Sequence, residues 1–344
     1  MECIFNIILQ ERLKKVGDLK INFDVQEIKT EEFIPYNIGD YKIFKPLTSN
    51  KSGFSKWGIA FKDDVSYFIK EFLTPVYPDE SVELSEEIRN SKIEQCNEWF
   101  DERNKIYRKI VQSQNGNLIV PRKFFKDKSH FYLVTKLINK YDNVNFENIK
   151  DSSDEQKQII LKVLAHSFSK LAENHVVHAD VKPDNLIFKK TVNDFFTVKI
   201  IDFDASYRES NPPFGDEIQG DFVYLAPETF IAMCEEDIKL TPKVDVFALG
   251  IIFHQILCGE LPGFSNEYDY VYEAVLNDDK IQLNQNIIPG YRKLIEKMLA
   301  KEADDRCSIS EVLAELYNFD NNFKPDNKSI YNGHSKWKFS VDFD

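Results

Sequence analysis

Hydrophobic positions change their rhythm along this chain, and the changes divide it. Residues 1–40 alternate only weakly, and the short apolar run Ile4–Leu9 reads as a strand or helix packed on a domain. From Tyr41 to Leu73 the pattern is that of strands. There Tyr67 and Ile69 alternate with Phe68 and Lys70, the period of two that sends successive side chains to opposite faces of a sheet. Pro75 and Pro78 break the run. Beyond them Ile93, Cys96, Trp99 or Phe100, Ile106 and Ile110 recur on one face of a long predicted helix. A strand over Phe131–Ile138 follows.

Helical patterns dominate the rest. Ser152-x-x-Glu155 is a capping box, opening a helix with Ile160, Val163, Leu164, Phe168 and Leu171 on one stripe. Short strands are predicted at Leu186–Phe188 and Thr197–Ile201. Val244–Cys258 is apolar nearly all round, which predicts a buried central helix capped by Gly259 and stopped before Pro262. Two more helices are expected at 288–300 and 308–318. The predicted architecture is α+β and bilobal. An extension (1–40) precedes a β-rich N-lobe with one long helix (41–138), a mostly helical C-lobe (139–318) and a polar tail (319–344). Two unequal lobes leave a cleft, where ligand pockets form preferentially.

Composition narrows the function. With 344 residues, 42% of them hydrophobic, the chain can bury one large core or two lobes. The net charge of -13 argues against nucleic-acid or anionic-membrane partners. The run Ile4–Leu9 lacks a positive flank and is too short for a signal peptide or a membrane span. Five scattered cysteines with no C-x-x-C pair read as free thiols of a reducing compartment, so a soluble cytoplasmic protein is expected, with delivery into a host cell left open. The oligomeric state is not legible.

Chemistry concentrates in His178-Ala179-Asp180-Val181-Lys182-Pro183-Asp184-Asn185, between a helix end and a short strand, with Ile201-Asp202-Phe203-Asp204 beginning sixteen residues later. This set resembles the catalytic loop and metal-binding triplet of the protein kinase superfamily, serine/threonine type. Phosphoryl transfer needs hard oxygen ligands for magnesium and a carboxylate facing the substrate hydroxyl. The resemblance implies Asn185 and Asp202 as the metal ligands, Asp180 as the base and Lys182 as the cation neutralising the migrating phosphoryl group. Lys70 looks like the strand lysine that holds the α- and β-phosphates of ATP. Such a lysine requires a helix carboxylate, and Glu102 is the choice by spacing, with Glu98 one turn earlier as the rival. Thr135 sits where the family has its gatekeeper, and the backbone of Lys136 and Ile138 would meet the adenine edge. Ala226-Pro227-Glu228, Asp245 and Arg306 look like the family's structural signatures. Asp245 is expected to bond the catalytic-loop backbone and Arg306 to pair with Glu228. His178 and His254 read as packing histidines. The resemblance covers about residues 41–318.

Four departures are legible. The phosphate loop over Thr48–Trp57 keeps only Gly53. Phe68 stands where the family usually has a small residue above adenine and Trp57 where it usually has valine, and the two rings can stack on the base or crowd it. Ala179 replaces an arginine that would receive a phosphate, so activity is expected not to depend on phosphorylation of Ser206, Tyr207 or Ser210. Asp204 replaces a glycine, hinting at a less mobile segment, and Asp221 replaces a threonine, either pairing with Lys182 or repelling Asp180. Together these resemble divergent microbial kinases. The expected function is ATP- and magnesium-dependent phosphorylation of protein substrates on serine or threonine, with autophosphorylation. The alternatives are a pseudokinase acting as a nucleotide-binding or scaffolding module, and a small-molecule phosphotransferase.

Overall fold

A computed structural model describes residues 33–49, 55–138, 143–144, 146–191, 195–234 and 238–322. The N-terminal part is a six-stranded antiparallel sheet in the order β1-β2-β3-β4-β6-β5. Its strands are β1 (Tyr36–Ile38), β2 (Tyr41–Ile43), β3 (Ser55–Lys62), β4 (Val65–Phe72), β5 (Pro121–Asp127) and β6 (His130–Lys136). The sheet thus begins at Tyr36, inside the stretch expected to be an extension, because Tyr36 and Asn37 pair with Ile43 and Lys42. The alternation in β4 works as anticipated. Ile69 joins Ile43, Ala60, Tyr132 and Val134 in a small core on one face. Phe72, on the other face, joins Phe131, Leu133 and the long helix.

That helix, α1 (Glu86–Gln112), starts where the Ser85 hydroxyl accepts the Ile88 amide, with Glu86 and Glu87 complementing the helix dipole. Trp99 and Phe100 pack with Phe124 and Phe131 at ring separations of 4.8 to 5.8 Å. The buried stripe is Cys96, Arg103, Ile106, Tyr107 and Ile110.

The C-terminal part contains α2 (Phe146–Lys150), α3 (Asp154–Glu173), α4 (Pro227–Cys234), α5 (Lys243–Cys258), α6 (Val271–Leu276), α7 (Pro289–Met298) and α8 (Ile309–Asn322). Short strands β7 (Asn143–Val144), β8 (Val176–Val177), β9 (Leu186–Lys190), β10 (Phe196–Ile200) and β11 (Tyr207–Arg208) complete it. The expected bilobal α+β architecture is present. As its pattern required, α5 is buried almost throughout and ends at Gly259, whose φ of 84° closes the helix with a 2.8 Å bond to Gln255 O. The start of α3 needs correction by one residue. Ser153, not Ser152, caps the helix, accepting from the Gln156 amide, because the Ser152 hydroxyl already donates to Ile149 O.

The parts are tied where the site lies. Segment 115–120 follows α1 and runs alongside β10: the Ile119 amide donates to Ile200 O and the Ile200 amide to Asn117 O, both at 2.9 Å. The Lys109 ammonium donates to Asn174 O at the end of α3, and the Asn115 amide to the Ser167 hydroxyl. These bonds set the strand that leads to Asp202 against the lobe that carries Lys70.

Candidate active site

Between β8 and β9 the chain turns through His178–Asn185. Ala179 takes a left-handed backbone (φ 67°), which a non-glycine residue holds only when its surroundings impose it. Asp245, in the first turn of α5, supplies that constraint. Its two oxygens accept the His178 amide at 2.8 Å and the Ala179 amide at 2.9 Å. The expected role of Asp245 is met atom for atom. The His178 ring packs between Phe168 and Phe203, accepts the Asp180 amide on Nδ1 and donates from Nε2 to Ile201 O. Both ring nitrogens are occupied in holding the loop, which fits a packing histidine.

Asp180 is the centre of a compact polar group. Its Oδ2 accepts from Asn185 Nδ2 and from Lys182 Nζ, both at 2.9 Å. Lys182 also stands 3.9 Å from Asp221, so the lysine lies between the two carboxylates. Asp180 Oδ1 is buried and has no hydrogen-bond partner, an acceptor left for a donor from outside. The Asn185 amide nitrogen is committed to Asp180, which leaves its amide oxygen as the side-chain atom able to accept a cation. The Ile201 amide donates to Asn185 O at 3.0 Å and brings Asp202 beside this loop.

Lys70 reaches across to that segment. Its ammonium lies 2.9 Å from Asp202 Oδ1 and 2.8 Å from Asp204 Oδ2. Burial pushes the Lys70 amine down, and the two carboxylates more than reverse this, holding it above the ordinary lysine value. Burial also pushes Asp202 up, and Lys70 outweighs it, so this carboxyl sits below the ordinary carboxylate value. Asp204 is raised by burial and then by the charge of Asp202. The bonds of Asp202 use Oδ1. Its second oxygen and the Asn185 amide oxygen are hard donors of the kind magnesium takes, with phosphate and water to complete the shell.

The helix carboxylate expected at Lys70 is not there. Glu102 instead accepts from Arg208 at 2.6 and 2.8 Å, and Glu98 is exposed. The reason is rotational: one residue on an α-helix is about 100°. The inward direction belongs to Arg103, whose buried guanidinium donates to the backbone oxygens of Ser206, Phe203 and Asp204 at 2.9, 2.9 and 2.6 Å. Sequence reading missed Arg103 and Arg208. A signal for Arg103 existed, since position 103 falls on the stripe between Cys96 and Ile110.

On the sheet face that carries Lys70, Trp57 and Phe68 stack with centroids 5.8 Å apart. Thr135 pairs with Phe68, and Lys136 is the last residue of β6. Ile138 follows in irregular chain, half-buried, and Gly53 lies outside the described residues. Arg306 and Glu228 form the expected pair, at 2.7 and 3.0 Å.

Comparison with known proteins bears on this arrangement. Residues 86–318, more than half of the chain, match the family model described as protein kinase domain. The chain is 26% identical over 194 residues to serine/threonine-protein kinase ULK3 of Xenopus laevis, a match spanning 56% of this chain and 40% of that one. It is 27% identical over 214 residues to serine/threonine-protein kinase PSK2 of Saccharomyces cerevisiae (60% and 18%). It is 23% identical over 284 residues to protein kinase kin1 of Schizosaccharomyces pombe (80% and 30%). The chain therefore spans less than half the length of each of these relatives.

Proposed function

This chain belongs to the protein kinase domain family, and on that premise we propose that it transfers the terminal phosphoryl group of magnesium-bound ATP to serine or threonine hydroxyls of other proteins, and to its own. The observation that carries the reading is Asp180, buried at Oδ1 without a partner and held through Oδ2 by Lys182 and Asn185. Such a carboxylate is oriented, anionic beside a cation, and short of one hydrogen-bond donor. A substrate hydroxyl supplies that donor, and Asp180 takes up its proton as the oxygen attacks.

Magnesium-bound ATP supplies the activated phosphoryl group and the neutralisation of its charge. Asn185 and Asp202 hold the ion through oxygen, Lys70 meets the phosphates, and Lys182 balances charge on the group in transit. The backbones of Gly53, Lys136 and Ile138 serve the phosphates and the adenine. Independence from activation-segment phosphorylation is supported by the burial of Ser206 and Tyr207, 1% and 5% exposed. The names of the relatives support serine/threonine specificity, and the scattered cysteines support work in a reducing cytoplasm.

The test is incubation of purified protein with magnesium, labelled ATP and a generic protein substrate, beside the Asp180→Asn variant. Label is expected on serine or threonine, reduced roughly 100-fold or more in the variant. Equal labelling by the two proteins would overturn the assignment. A second reading, a nucleotide-binding module without turnover, draws on the Trp57–Phe68 stack on the Lys70 face. It predicts saturable ATP binding with no label transferred.

A further inference from the structure

Lys70 is held by two acids two residues apart in the chain, Asp202 and Asp204, and the second of them has no counterpart in the resemblance. We propose that Asp204 is the positioning residue that orients Lys70, and that Arg103 sets Asp204 by gripping the backbone on either side of it. The proposal rests on the reading of Lys70 as the amine that meets the nucleotide's phosphates.

Four observations on separate elements converge. First, the Asp204 contact at 2.8 Å is as short as that of Asp202, and its carboxylate is the less exposed of the two, 25% against 36%. Second, Asp202 has other work. Its Oδ1 is shared by Lys70 and the Asp204 amide and its second oxygen is left for the ion, whereas Asp204 gives Oδ2 to Lys70. Third, the helix offers no free carboxylate here. Glu102 is taken by Arg208 through both oxygens, and the inward position carries the cation Arg103. Asp204 is the carboxylate that meets Lys70 on the very segment whose carbonyls Arg103 holds. Fourth, the guanidinium donates to the carbonyls of Phe203, Asp204 and Ser206, a grip that only a planar fork of donors can make at once.

The backbone agrees. Asp202 is left-handed at φ 62°, whereas Asp204 is not among the residues of positive φ. Nothing in the conformation of residue 204 calls for a glycine, so the position is free to carry a functional side chain. The charge order is therefore inverted relative to the resemblance: the helix brings the cation, and the segment after β10 brings the carboxylate.

A double-mutant cycle tests this with the parent, Asp204→Asn, Lys70→Met and the combined variant. Affinity for magnesium-bound ATP is measured by calorimetry, and thermal unfolding without nucleotide. Asp204→Asn and Lys70→Met are each expected to weaken binding roughly tenfold, the scale of one charge-assisted hydrogen bond. The combined variant should bind no worse than Lys70→Met, because Asp204 acts through Lys70, and Asp204→Glu should restore much of the affinity. Additive losses would overturn the proposal. So would parent-like binding by Asp204→Asn, whatever Glu102→Gln does. If the parent takes up no ATP, the proposed activity falls, and the pairing is judged by unfolding alone. Non-additive shifts in Tm between Lys70→Met and Asp204→Asn then support it, and additive shifts sink it.

Discussion

Arg208 holds Glu102 by both carboxylate oxygens, Nε at 2.6 Å from one and Nη2 at 2.8 Å from the other. The pair fastens the middle of α1 to β11 and so braces the segment that begins at Asp202.

Glu102→Gln should loosen that segment locally. The partners are 22% and 25% exposed, so unfolding free energy should fall by only about 1 kcal/mol or less. Amides between Ser206 and Asn211 should exchange faster in hydrogen–deuterium exchange. Burial pushes the Glu102 carboxyl up, but Arg208 outweighs it and, with Asn211 and Lys105, holds it below the ordinary glutamate value. A depressed folded value means the pair contributes above the unfolded value of about 4.3 and is lost as pH falls through the folded one. Parent and variant should therefore converge in stability in strong acid.

Glu228 and Arg306 are a deeper pair, with side chains 10% and 0% exposed. Glu228→Ala leaves a buried guanidinium with the carbonyls of Ala300 and Lys243 but no anion. Urea unfolding should show a loss of roughly 3–5 kcal/mol. Arg306→Lys should be nearly as damaging, because an ammonium cannot serve the carboxylate and those carbonyls together.

Asp245→Asn presents one acceptor oxygen where two backbone amides need two. The unpaired amide should cost roughly 1–3 kcal/mol in stability. The loop carrying Asp180 loses its brace, so kcat should fall while calorimetric affinity for magnesium-bound ATP stays close to the parent's. A matching loss of affinity would show that Asp245 also shapes the nucleotide face.

His254 donates from Nδ1 to Glu260 O at 2.8 Å and accepts the Asn284 amide on Nε2 at 3.0 Å, which fixes it as neutral. Burial lowers its pKa, and the Glu260 carbonyl and carboxylate offset part of that. As pH falls below about 6.5, the unfolded chain takes up a proton that the folded one refuses. Stability should drop by up to about 1.4 kcal/mol per pH unit until the folded value is reached. His254→Gln should flatten that slope below about pH 6.5, and an unchanged slope would assign it to another group.

Much of the fold was legible because periodicity reports burial directly. The alternation through Phe68, Ile69 and Lys70 marked both faces of β4, and the apolar run of α5 marked its place at the centre of the larger lobe. The resemblance named Asp245, Glu228 and Arg306 before their partners were seen. Ser152 misled because two adjacent serines suit the cap, and a bond to Ile149 O decided between them. Glu102 misled because spacing to a later strand fixes a helix position only to within a residue.

Residue type and order along the chain determined the two lobes, the loop that carries Asp180 and the identity of the groups that meet there, since these follow from local pattern and from motifs contiguous in sequence. The tertiary structure alone decided the ion pairs around Lys70 and the long helix. Whether Lys70 meets Glu102 or Asp204, and whether Arg103 points outward or into the core, depends on the rotation of α1 against a segment about a hundred residues away. A one-residue turn of a helix redirects a side chain by about 100°, and no pattern within the helix carries the position of the charge it will face.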